Sequence, residues 1–153
     1  MATLQTQNGN SAPASKYIQR STAETLAELN RPIDKRHYKT RKQGSATLNY
    51  VPWPILAKHL HFRAPGWNWE IQDVKQIGES VCITGRLTIP TTDGLLHYSG
   101  DASEILNGKS MAPAIESAAS SALRRACGLC GLGLGKLWAT RGRSLPIPPF
   151  CSD

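Results

Sequence analysis

The segment that most constrains this fold is residues 80–90. There Val81, Ile83, Gly85, Leu87 and Ile89 alternate with Cys82, Thr84, Arg86 and Thr88. Successive side chains on an extended strand point to opposite faces, so strict alternation over nine residues gives one apolar and one polar face. That is the pattern of a half-buried strand, and such a strand needs neighbours to satisfy its backbone. Gly78 marks a turn before it, and Thr92-Asp93-Gly94 marks a hairpin turn after it. The flanking partners are 67–77, carrying Trp67, Trp69, Ile71 and Val74, and 95–100. An antiparallel β-β-β meander follows.

One face of a three-stranded meander must be covered, and a helix over roughly 112–130 is the cover. Ile115, Ala119, Ala122, Ala126 and Cys130 recur at spacings of three and four. This face is almost all small, which permits very close approach to a sheet. Glu116, Ser117, Ser120, Ser121, Arg124 and Arg125 occupy the other side. Gly128, Gly131, Gly133 and Gly135 then break the helix progressively, and order resumes at Lys136-Leu137-Trp138.

Two shorter helices precede the meander. Ser21 and Glu24 have the spacing of a capping box, which predicts a helix over Thr22–Leu29 with Leu26 and Leu29 buried. Asn30, Arg31 and Pro32 end it. A short strand over 46–51 leads to a second helix, with Pro54 in its first turn and Ile55, Leu56, Leu60 and Phe62 on its apolar side. The fold class is α+β: an antiparallel meander packed on a long helix, with flanking short helices. Residues 1–20 are polar and read as a flexible arm. Residues 21–139 form one domain, and 140–153 form a Pro-rich, extended tail.

The charge is segregated. The chain carries 18 Lys and Arg against 11 Asp and Glu, net +7. Residues 31–63 hold a net +7 by themselves, 64–110 a net −3 and 111–153 a net +3. Such a distribution favours an anionic partner, nucleic acid or a membrane surface. No apolar run approaches the ~20 residues of a membrane helix. The first residues lack the apolar core of a secretory signal. The expectation is therefore a cytoplasmic protein, nucleoid-associated if bacterial, whose four cysteines are reduced thiols.

Catalytic chemistry finds no foothold. GLCGLGLGK is rich in Gly, but it follows a helix instead of opening one, and Lys136 precedes Leu137 where a phosphate-binding loop needs Ser or Thr. Cys127 and Cys130 form a C-x-x-C without a second tight ligand pair, and at helical spacing beside Ala126 they read as core. Glu70 and Asp73 differ in strand parity, which would point them to opposite faces of a regular strand. No enzyme, no cofactor and no metal is expected.

Nucleic-acid features are stronger. Arg31, Lys35, Arg36, Lys39, Arg41 and Lys42 put six cations into twelve residues, with Tyr38, Tyr50 and Trp53 within or just after them. Cations interleaved with aromatic rings suit single strands, whose bases are free to stack. Arg124 and Arg125 stand on the exposed side of the long helix, one turn after Ser120 and Ser121, where adjacent guanidinium groups can hold successive phosphates. Trp67 and Trp69 read as core.

Read together, LNYVPW, PGWNWEI, VCITGRLTI, TDGLLHYSGDAS and above all AIESAASSALRRACGLCGLGLGKLW resemble the Rad-fifty-two-type single-strand annealing superfamily, which includes DdrA-like and phage annealing proteins. The resemblance covers about three-quarters of the chain, from Leu26 to Trp138. It implies a core that assembles side by side into a homo-oligomeric ring or helical arc, with single-stranded DNA in a basic outer groove. It implies ATP-independent strand annealing in DNA repair and homologous recombination, with a single-strand-binding protein or nuclease as a candidate further partner. Arg124 and Arg125 match the family's paired basic residues, Tyr50 an aromatic residue near the groove, and Lys39 or Arg41 a basic residue before it. Arg36, Lys35, Lys42 and Trp53 join the candidate binding residues through the basic run. Two positions depart: Ser121 stands where an acidic residue is common, and Gly128 where a further basic one is. The alternative is a double-stranded RNA-binding module, whose α-β-β-β-α order is close; it would place its basic cluster at the start of the last helix.

Overall fold

The computed structural model describes residues 20–108 and 110–133. The expected arm, apart from Arg20, and the expected tail lie outside them, as does the 134–138 end of the long helix's Gly-rich segment.

Helix α1 spans Thr22–Leu29, as the capping box predicts. Ser21 Oγ accepts the Glu24 N–H at 3.2 Å, and the Glu24 carboxylate accepts the Ser21 N–H at 2.8 Å. Leu29 is fully buried, and Leu26 packs against the same core from its rim. A 3-10 turn at Lys35–His37 leads into strand β1, Lys39–Gln43, which pairs antiparallel with β2, Ala46–Tyr50. The basic run thus folds as a strand that the sequence reading did not assign; its charged composition hid it. Gly44 makes the turn, with φ +62°.

Helix α2 spans Trp53–Arg63, with Pro54 in its first turn as expected. Leu56 and Leu60 face the core, but Phe62 is 72% exposed, which corrects its assignment to the apolar side. Two residues beyond Leu60 is more than half a turn away from the buried stripe. Arg63 joins the two short helices: its guanidinium donates to the carbonyls of Glu28, Leu29, Arg31 and Pro32.

The meander comprises β3, Asn68–Ile77, β4, Ser80–Thr91, and β5, Gly94–Ile105, in the order β3-β4-β5. Residues of β4 alternate between buried and half-buried along its whole length. Strand β5 runs five residues beyond the expected end at Gly100, because β4 pairs with it as far as Ser80 and Ile105. The register shifts between Ile71 and Asp73, so Glu70 pairs with Arg86 and Asp73 with Thr84. Arg86 and Thr84 share a face, so the bulge brings Glu70 and Asp73 onto one side, correcting the parity argument.

Helix α3, Met111–Leu129, lies across β4 and β5. Its buried residues are Ala114, Ala118, Ala122, Leu123, Ala126 and Cys127, with Ile115 and Ala119 at the rim. The small-residue face is there, rotated from the expected one. Its contact with the sheet is fixed at Gly100, where a Cβ would lie 2.0 Å from the Ala122 carbonyl oxygen. The core has two connected parts. The larger gathers Leu29, Val51, Leu56, Leu60, Leu87, Ile89, Leu123 and both C-x-x-C cysteines; the smaller gathers Val81, Ile83, Ala102 and the alanines of α3. Cys82, Cys127 and Cys130 are free thiols. No cluster of three or more His, Cys, Asp or Glu is placed to hold a metal among the described residues.

Candidate nucleic-acid interface

Antiparallel pairing decides which basic residues of the hairpin act together. Lys39 pairs with Tyr50 and Arg41 with Leu48, so these four share one face. Thr40 and Lys42 alternate to the other. Arg41, Leu48 and Tyr50 line a cavity of about 490 Å³ whose opposite wall is α3, with Ser121, Arg124, Arg125 and Gly128. A neighbouring cavity of about 320 Å³ shares Arg41, Tyr50 and Arg124 and adds Trp53, Ser117 and Ser120. A groove therefore runs between the hairpin and α3, floored at its centre by three residues from distant parts of the chain.

Arg124 is the best-held of them. Its Nη2 donates to Ser121 Oγ at 2.8 Å, and its guanidinium carbon lies 5.5 Å from the Tyr50 ring centroid. Burial and the nearby positive charge of Arg41 pull its pKa below the usual arginine value, while Tyr50 opposes that shift. Two cations held close, one of them half-buried, make a site that gains from an arriving anion. Neither Arg41 nor Arg124 has a carboxylate partner among the described residues. Gly128 lines the wall one turn after Arg124, and Tyr38 Oη donates to the Gly133 carbonyl at 3.2 Å, tying the residue before β1 to the segment that follows α3.

The remaining candidates are placed differently. Arg125 touches the groove, but its Nη1 donates to the Asp101 carbonyl of β5 at 2.8 Å. Lys39 shares the groove-facing side of β1 with Arg41 without lining either cavity, and Lys42 projects from the opposite side. Lys35 and Arg36 lie in the 3-10 turn, away from both cavities. Arg36 is paired with Asp34 at 2.9 Å, and that guanidinium holds the Asp34 carboxyl down at about 2. Trp53 is 49% exposed at the start of α2 and lines the groove. Sequence reasoning overlooked Leu48 and Ser117. Alternation within KTRKQ and ATLNY around Gly44 was the signal that could have found the hairpin face.

No family model matches the chain. A curated protein of Arabidopsis thaliana, DNA repair RAD52-like protein 1, mitochondrial, is 31% identical over 131 residues, covering 84% of this chain and 74% of its own length. The chain belongs to the RAD52-like family. A second member of that family, DNA repair RAD52-like protein 2, chloroplastic, from the same plant, is 32% identical over 126 residues, 79% of this chain and 63% of its own length. A solved chain from de novo design of proteins with diverse pocket structures matches at 18% identity over 52% of this chain and 70% of its own, with a TM-score of 0.22. Both RAD52-like relatives are named for organelles, which overturns the expectation of a cytoplasmic protein. The lack of a secretory signal could not have distinguished these compartments. A double-stranded RNA-binding module would place its basic cluster at the start of the last helix; the first turn of α3, Met-Ala-Pro-Ala, holds no basic residue, and both arginines lie late in the helix.

Proposed function

We propose that this RAD52-like chain is a single-stranded DNA-binding and strand-annealing protein, independent of ATP, that acts in DNA repair and homologous recombination. The observation that carries the reading is the convergence of Arg41, Tyr50 and Arg124 on one groove. Sequence-neutral binding needs backbone neutralisation and tolerant aromatic contacts, and both are available there. Annealing needs no nucleophile or metal. Holding a strand extended, with its charge neutralised and its bases accessible, raises the rate of productive encounter with a complement.

The protein works as a homo-oligomer, ring or arc. Ile71 and Val74 lie on β3 beyond the cover of α3, 43% and 46% exposed, and among the described residues the outer edges of β3 and β5 are unpaired. Apolar residues beside open edges favour a neighbouring copy.

The test is annealing of labelled complementary oligonucleotides without ATP or metal. Acceleration by the wild type, lost in Arg41→Ala/Arg124→Ala and kept in Arg36→Ala, is the expected result. No acceleration, or equal acceleration by all three proteins, would overturn the reading.

A further inference from the structure

The groove continues past Arg124 along α3 into a third cavity, of about 560 Å³. Its volume is in the range of small-ligand sites, about 300–1,000 Å³. Trp53, Ser117 and Ser120 line both this cavity and the 320 Å³ one, so the two are continuous. Its other walls include Trp69, Pro113 and Leu123, and its charged lining residue is Glu116. Trp69 is held in place because its ring lies over Gly85, where a Cβ would come within 2.3 Å of it.

Three features distinguish this end of the groove. Among the described lining residues the cations stop at Arg124, and the carboxylate of Glu116 repels phosphate. The walls are aromatic and apolar, with two serine residues on the α3 side. Trp53 opens α2 between Pro52 and Pro54, whose fixed φ angles restrict the backbone on both sides of the exposed indole. A half-exposed aromatic ring on a restricted backbone beside a cationic track suits a planar group attached to an anionic chain.

The geometry points to a nucleobase slot: the strand's phosphates lie on Arg41 and Arg124, and one base turns into the cleft and stacks on Trp53. This rests on the single-strand binding proposed above. It assigns Trp53 a role separate from Arg124, because Arg124 serves any phosphodiester chain and Trp53 serves only one that carries bases. Tyr50 already has Arg124 over one face of its ring, whereas Trp53 has no such cation over it among the described residues.

The test compares two fluorescent strands of equal length: oligo-dT and an abasic phosphodiester strand. The full chain is titrated with each by anisotropy at fixed salt. The wild type is expected to bind oligo-dT roughly tenfold more tightly than the abasic strand, the size of one stacking contact. In Trp53→Ala that preference falls toward unity, while abasic-strand affinity stays within about twofold of wild type. Trp53→Phe restores most of the preference, which a merely structural role would not predict. Arg124→Ala weakens both strands and leaves their ratio unchanged.

A wild-type ratio retained in Trp53→Ala overturns the slot even if oligo-dT binding is strong. Wild-type protein that binds neither strand overturns the single-strand reading and the slot with it. A changed oligomeric state in Trp53→Ala with an unchanged ratio overturns the slot in favour of a second copy of the chain filling the cleft.

Discussion

Arg124 sits with its guanidinium carbon 5.5 Å from the Tyr50 ring centroid, on the side of α3 from which it also donates to Ser121 Oγ. The two residues come from a hairpin and a helix some seventy positions apart, and their contact closes the groove wall. A guanidinium over a tyrosine face is worth about 0.5–2 kcal/mol, more as water is excluded. Tyr50 is thus a positioning residue for Arg124 as well as part of the groove surface.

The first prediction concerns that pair. Tyr50→Leu keeps the apolar volume and loses the cation–π contact, so single-stranded DNA binding should weaken by about three- to tenfold. In a double-mutant cycle with Arg124→Ala the effects should be non-additive by about 0.5–2 kcal/mol. Additivity would show that Tyr50 contacts the strand without orienting Arg124.

The second prediction uses salt. Each phosphate neutralised on a single strand contributes about 0.7 to the slope of log K against log salt. Arg41→Ala and Arg124→Ala should each flatten that slope by about this amount, whereas Arg36→Ala should not change it, because Asp34 already pairs with Arg36. Binding isotherms at four or five salt concentrations decide it. An equal loss for Arg36→Ala would move the strand's path onto the 3-10 turn.

The contrast between Arg41 and Arg36 shows where sequence reading stopped. Composition identified 31–42 as basic, and the Ala-rich helix signature identified Arg124. The alternation of β4 was strong enough to place the meander. Charge density cannot say which cations share a face; that needs the parity of KTRKQ and ATLNY about Gly44, and a strand of Lys, Thr, Arg and Gln has no apolar stripe to draw attention to it. The same lack of a local signal hid the bulge beside Gln72, which turns Asp73 onto the side of Glu70. The rotation of α3 was hidden too, because most residues on its inner half are small, and the close approach of Gly100 places Ala122 against the sheet.

That last relationship gives the third prediction. Gly100→Ala puts a methyl group against the backbone oxygen of Ala122, and backbone cannot move aside as a side chain can. Overpacking of this kind costs about 1–3 kcal/mol, and here the upper end is expected, because α3 must lift from β5. Ser99→Ala, one residue earlier on the opposite, exposed face, should change stability by less than about 0.5 kcal/mol. Urea midpoints of the two variants make the comparison. Equal stabilities would mean that α3 can slide over the sheet without loss.

The fourth prediction concerns pH. Cys127 is completely buried and Cys130 nearly so, and burial pushes both thiols above their ordinary range. An ordinary thiol ionises near pH 8.5. Below that pH both the folded and unfolded chains keep these protons, and the contribution to stability is complete. Above it the unfolded chain releases them while the folded chain holds them. The unfolded state then binds fewer protons, so stability falls as pH rises. The limiting slope is about 1.4 kcal/mol per pH unit for each thiol. Tyr38 and Tyr98, also raised by burial, add to the fall only above about pH 10, where a free phenol ionises. Urea unfolding between about pH 7.5 and 10 should therefore show stability flat at first and then declining. Cys127→Ala should begin lower, because a buried sulfur is lost, and should decline less steeply. Parallel curves for the two proteins would place the alkaline sensitivity elsewhere in the fold.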